Sequence, residues 1–131
     1  MAQAEQNELG KGLEMVGVDI VDVSRIGEII RKYGDKFLEK VFTDDEMAYV
    51  KKGRRTDESF AGRFAAKEAF MKANGRKLPW REINVLQESG RPFIRYRGRD
   101  YDGVSISHER AYAVSVVVIT EGRSINENPD T

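Results

Sequence analysis

The run Phe60-Ala61-Gly62-Arg63-Phe64-Ala65-Ala66-Lys67-Glu68-Ala69-Phe70-Met71-Lys72 reads as a helix, and it sets one acid among three bases on a segment otherwise made for packing. At helical spacing Phe60, Phe64, Lys67 and Met71 share one stripe, and Ala61, Ala65, Glu68 and Lys72 share the next. The second stripe is small residues leading to charge, so another backbone or a ligand can approach closely beside Glu68 and Lys72. One reading of the two charges is a surface pair at i, i+4, stabilising the helix by roughly 0.2 to 0.5 kcal/mol. The other is chemical, because an acid flanked by bases beside an open surface invites a metal ion.

Met15-Val16-Gly17-Val18-Asp19-Ile20-Val21-Asp22-Val23 is apolar and β-branched, and reads as a strand interrupted by a carboxylate at Asp19. Alternation puts Gly17, Asp19 and Val21 on one face and Val16, Val18 and Ile20 on the other. A buried unpaired charge is costly, so Asp19 needs a cation, a helix N-terminus or a metal ion; a hydrogen-bonded structural aspartate is the competing reading. Near the other end, Val104-Ser105-Ile106-Ser107-His108-Glu109-Arg110 brings the only histidine of the chain to a strand end beside two hydroxyls and Arg110. That setting suits a group that contacts phosphate, against the commoner structural histidine.

The G-V-D-I-V-D-V-S-R-I start at Gly17, the F-A-G-R-F-A-A-K-E-A-F-M-K-A helix and the S-I-S-H-E-R-A-Y-A-V ending resemble the bacterial holo-[acyl-carrier-protein] synthases, the small 4'-phosphopantetheinyl transferases. The resemblance runs from about Met15 to about Thr120, with Trp80-Arg81-Glu82-Ile83-Asn84-Val85 and Gly90-Arg91-Pro92 filling the middle. Two departures are mild: the family often has Asp at the position of Glu82 and Lys at the position of Arg91.

The resemblance implies that Asp19 and Glu68 are Mg²⁺ ligands, with Glu68 or a metal-bound water as base for a serine hydroxyl. Lys72 is expected to act on the leaving phosphate, and Arg63, Lys67 and His108 to contact coenzyme A phosphates. It also implies a helix with Arg25 facing an acidic acyl carrier protein, where Arg31, Lys32 and Lys36 suit docking. The expected reaction moves 4'-phosphopantetheine from coenzyme A to a carrier serine, in support of fatty acid biosynthesis, and the expected working unit is a homotrimer with sites between subunits. Two alternatives share some of these features: a Mg²⁺-dependent phosphodiesterase or nuclease, and a module that binds coenzyme A or a carrier protein without turnover.

Composition narrows the field. The 131 residues suit one domain, and the absence of cysteine excludes disulfides and thiolate chemistry and is compatible with the cytoplasm. Lys plus Arg balance Asp plus Glu at 22 each, so no broad basic surface for nucleic acid is expected. No apolar run approaches the roughly 20 residues that span a bilayer, so no membrane association is expected. Lys51-Lys52-Gly53-Arg54-Arg55 reads as a solvated loop or as an aid to anion binding.

Residues 1–13 and 121–131 are polar and read as flexible extensions of a transferase domain over 14–120. Ser24 is expected to cap a helix carrying Ile26, Ile29, Ile30 and Tyr33 and ending at Gly34. A short helix follows over Asp35 to Val41, then one behind a capping box at Thr43-Asp44-Asp45-Glu46 and ending at Gly53, then the long helix from about Asp57 to Asn74. Strands are expected over Ile83 to Gln87, Pro92 to Arg97, Gly103 to Ser107 and Ala111 to Ile119. The fold class is therefore α+β, a small and mainly antiparallel sheet packed against helices. Val114 to Ile119 is apolar on both faces apart from Ser115, so both faces call for cover.

Overall fold

The structure, a computed structural model, describes residues 14–120, and both expected terminal extensions lie outside the described residues. The order is β1 (Glu14–Asp22), α1 (Val23–Tyr33), α2 (Asp35–Val41), α3 (Asp44–Lys51), α4 (Thr56–Asn74), a 3₁₀ turn (Trp80–Glu82), then β2 (Ile83–Glu88), β3 (Arg91–Tyr96), β4 (Arg99–Tyr101), β5 (Val104–His108) and β6 (Tyr112–Thr120). The α+β class holds. The strands form two antiparallel three-stranded sheets instead of one, ordered β1-β6-β5 and β2-β3-β4. The short β4 was not foreseen; three residues are too few to display an alternation.

Local chemistry explains most boundaries. The cap of α1 is Asp22, not Ser24: Asp22 Oδ1 accepts from the Ser24 and Arg25 backbone N–H groups at 3.0 and 3.3 Å and from the Ser24 hydroxyl at 2.8 Å. These bonds, the hydroxyl's first, hold the Asp22 carboxyl below its ordinary pKa. The Thr43 capping box forms as read, with Thr43 Oγ1 accepting from the Glu46 N–H and Glu46 Oε1 accepting from the Thr43 N–H. Gly75, at a φ of 74°, takes the left-handed conformation that ends α4.

Helix α4 is the centre of the molecule. One of its sides packs on β1, β6 and β5, where Ala61, Ala65 and Ala69 are completely buried. Gly17 on β1 meets it at backbone distance, because a Cβ there would overlap the Ala69 carbonyl and come within 2.7 Å of the Ala73 nitrogen. Another side of α4 carries Phe70 into a core with Ile83, Val85, Ile94 and Tyr96 of the second sheet. Phe60, Phe42, Val41 and Ile26 form a second core under the short helices, and Trp80, stacked on Phe64 at 5.1 Å, adjoins both.

The far face of the first sheet is different. The register pairs Val16 with Val118, Val18 with Val116 and Ile20 with Val114, and Val16, Val18 and Ile20 are 56%, 51% and 65% exposed. β1 is an outer strand of its sheet, so an apolar ladder runs along an edge that no other described residue covers.

Candidate active site

The strand alternation read from the sequence delivers Asp19 to the face that α4 covers. Its partner there is Lys72, whose ammonium donates to Asp19 Oδ1 and to the Val18 carbonyl, both at 3.0 Å. Asp19 is the better shielded of the two, with its side chain 15% exposed against 53% for Lys72. Glu68, one turn before Lys72, is half-buried and makes no hydrogen bond or ion pair among the described residues. Asp19, Glu68, Lys72 and Arg25 line one cavity of about 550 Å³, with Phe64, Ile26 and Ile29 as its apolar wall.

The donor set fits a hard divalent cation. Asp19 and Glu68 offer only oxygens, and among the described residues there is no group of three or more His, Cys, Asp or Glu that would enclose a metal by itself. Mg²⁺ is ordinarily held in that incomplete way, by one or two carboxylates, with water and substrate phosphate completing the octahedron.

A second cavity, of about 490 Å³, is lined by Tyr49, Lys52, Arg54, Arg55, Ser59 and His108. The basic loop thus faces a concave surface. Arg63 does not line this cavity but touches two residues that do: it is only 3% exposed, its guanidinium lying 4.2 Å over the Tyr49 ring and its Nη1 donating to Ser59 Oγ at 3.3 Å. Among the described residues Nε and Nη2 of Arg63 are buried without a partner, and burial pushes its pKa down. Unmet buried donors of a cation are costly. The two cavities sit toward opposite edges of the first sheet, since Asp19 is on β1 and His108 on β5, with β6 between.

Lys67 is not where the resemblance implied. It is completely buried, with Nζ 2.8 Å from Glu46 Oε1 and donating to the carbonyls of Val41, Trp80 and Ile83 at 2.8, 2.9 and 2.7 Å. Three N–H bonds shared among four acceptors leave nothing for a phosphate. Burial is the main influence on both partners, raising the pKa of Glu46 and lowering that of Lys67, with their mutual attraction opposing it. Of the expected docking residues, Arg25 is exposed on α1, Arg31 is paired with Asp57 at 3.3 Å, and Lys36 falls on α2. Glu46 and Glu58 were missed as partners of site-region residues. Glu46 had a local signal, its capping box, while Glu58 had none.

A model of the 4'-phosphopantetheinyl transferase superfamily matches residues 15–117. The chain belongs to that superfamily. It is 41% identical over 121 residues to a holo-[acyl-carrier-protein] synthase from Halothermothrix orenii, covering 82% of this chain and 97% of the relative. Among solved structures it is similar to the Bacillus anthracis synthase in complex with CoA (3',5'-ADP), with a TM-score of 0.71 and 34% identity, covering 81% of this chain and 95% of that one. The Helicobacter pylori synthase in complex with coenzyme A gives a TM-score of 0.72 at 28% identity, over 82% of this chain and all of that one. By its superfamily and its relatives the chain is a phosphopantetheinyl transferase. No helix among the described residues is long and apolar enough to cross a membrane.

Proposed function

We propose that the protein transfers the 4'-phosphopantetheine arm of coenzyme A to a serine hydroxyl of an acyl carrier protein, releasing adenosine 3',5'-bisphosphate, in the cytoplasm and in support of fatty acid biosynthesis. The observation that carries this reading is the convergence of Asp19, Glu68 and Lys72 with Arg25 on one cavity, in a chain of this superfamily.

The serine oxygen bonds to the phosphorus that carries pantetheine, and the bond from that phosphorus to the oxygen bridging toward adenosine breaks. Asp19 and Glu68 would hold Mg²⁺, which when bound would neutralise charge on the diphosphate. Glu68, with no protein partner among the described residues, takes the serine proton. Lys72 is exposed enough to reach substrate, and its ammonium stabilises the departing phosphate. His108, with the basic rim of the second cavity, receives coenzyme A phosphates, and Arg63 supports that cavity through its contacts with Tyr49 and Ser59. Incubating apo carrier protein with coenzyme A and MgCl₂ and weighing it by mass spectrometry tests the whole reading: a gain of one phosphopantetheine group supports it. An unchanged carrier, or hydrolysed coenzyme A without transfer, overturns it.

Arg25 shares the catalytic cavity and has no acidic partner in an ion pair among the described residues, so it suits an acidic carrier protein. Arg25→Glu is expected to raise KM for the carrier protein by tenfold or more, far above any change for coenzyme A, and the wild-type carrier KM should climb with salt. Equal effects on both substrates would assign Arg25 to structure.

One coenzyme A molecule has to meet both cavities, and the exposed ladder on β1 and β6 offers a surface on which copies could meet. The proposed working unit is therefore a homotrimer in which the metal cavity of one copy faces the anion cavity of the next. Val116→Lys places a charge in the middle of that ladder, beside Val18, on the face away from α4. Sedimentation of this variant should give monomers, with transfer activity lost in parallel. A fully active wild-type monomer at micromolar concentration would disprove the trimer and leave the chemistry standing.

A further inference from the structure

His108 is the last residue of β5, and its ring rests against α4 where Gly62 has no side chain; a Cβ at Gly62 would lie 3.6 Å from His108 Cδ2 and 3.0 Å from Ile106 Cγ2. One turn earlier on α4, Glu58 presents Oε1 to His108 Nδ1 at 3.0 Å. Glu58 is a buried carboxylate, 8% exposed, and its other oxygen is 3.7 Å from Arg55 Nη1, a loose contact. The imidazole is its close partner. A carboxylate can only accept hydrogen bonds, so Nδ1 carries the hydrogen and the ring tautomer is set by Glu58. Nε2 is then an acceptor in the neutral ring and a donor only in the imidazolium. Opposite an anionic oxygen only the donor fits.

The remaining charged groups around the ring do not compete for this role. Lys52, Arg54 and Arg55 are basic residues of the cavity rim. Glu109, next in the chain, turns Oε1 back to the Ala111 N–H at 2.8 Å, and Asp57 is paired with Arg31. Arg110 is exposed beyond the strand end. Among the described residues Glu58 is thus the acid in hydrogen-bond contact with His108, and it also lines a neighbouring cavity with Arg54, Arg55 and Arg110.

We infer that Glu58 is a positioning residue for coenzyme A, holding the His108 ring through Nδ1 in the orientation from which Nε2 donates to a phosphate oxygen. This rests on the proposed contact between His108 and a coenzyme A phosphate, and the test separates the two. Because the chain has one histidine, the ring of an untagged, ¹⁵N-labelled protein gives a single pair of nitrogen signals, so long-range ¹H–¹⁵N spectra report the tautomer directly. The wild type should show Nδ1–H, with Nε2 also protonated in the presence of coenzyme A and MgCl₂. Calorimetry should find coenzyme A bound about tenfold more weakly by Glu58→Gln and by His108→Gln. The double variant should be no weaker than His108→Gln, since Glu58 acts through the ring. Wild-type affinity in His108→Gln would remove the contact itself. Weakening in His108→Gln but not in Glu58→Gln, or additive losses in the double variant, would overturn the role of Glu58 alone. A wild-type ring protonated at Nε2 and not at Nδ1 would overturn it without reference to any variant.

Discussion

Lys67→Met is expected to cost the fold about 3 to 5 kcal/mol, because it leaves the buried Glu46 carboxylate without its counter-charge. The side chain it removes is completely buried and joins α4 to three other places: Glu46 on α3, the Val41 carbonyl at the end of α2, and the Trp80 and Ile83 carbonyls at the entrance to the second sheet. Methionine fills much of the volume but donates nothing to those oxygens. Glu46 remains bound by the Thr43 N–H at 2.9 Å and the Val85 N–H at 2.6 Å, which stabilise its charge only in part. Against a typical total stability of about 5 to 15 kcal/mol, the loss is a large fraction. Urea titration followed by circular dichroism measures it. The double change Glu46→Gln with Lys67→Met should be less destabilised than Lys67→Met, since it removes the stranded charge. A single variant within about 1 kcal/mol of wild type would refute the structural role of this pair.

Asp19→Asn and Glu68→Gln are each expected to leave a folded protein with transfer activity lowered by more than about 100-fold. Loss of a residue that merely orients a metal ligand typically costs about 10 to 100-fold, and a ligand itself should exceed that. The amides keep the shape and can still accept from Lys72 or solvent, so the deficit isolates the charge. For Asp19→Asn the Lys72 bond at 3.0 Å retains an oxygen acceptor, which favours normal folding. Activity across a MgCl₂ titration, with circular dichroism as the folding control, checks both. Near-wild-type turnover at ordinary Mg²⁺ concentration in either variant would strike that residue from the metal site.

The parts of this molecule legible in the sequence are those governed by neighbours in the chain. The alternation of β1 placed Asp19 with Gly17 and Val21, and the structure has all three on the α4 side, with Val16, Val18 and Ile20 exposed. The Thr43 capping box and the Asp35–Val41 helix follow from short-range hydrogen bonding and turn residues. Lys67 was half legible. Its position on the stripe of Phe60, Phe64 and Met71 already implied burial, but only the fold supplies Glu46 and the carbonyls that occupy it. The Ser24 cap failed because Asp22, counted with the strand, offers the stronger acceptor one residue before the helix. The division into two sheets, and the pairing of Glu58 with a histidine 50 positions away, depend on tertiary contacts that no local pattern encodes.

The contact of Gly17 with α4 acts as a ruler for the chemistry nearby. Two residues along β1 from Gly17 stands Asp19, and one residue before Ala69 on the helix stands Glu68, so the place where backbone touches backbone fixes the span between the two carboxylates. Rotamers can relax a gap between side chains, but backbone against backbone has little slack. For two acids proposed to share a cation, the span selects among ions by radius, and a small ion with strict octahedral demands gains most from a stiff one. A Gly17→Ala protein that still folded would carry its acids farther apart, and its metal preference should drift from Mg²⁺ toward larger, more tolerant ions such as Ca²⁺.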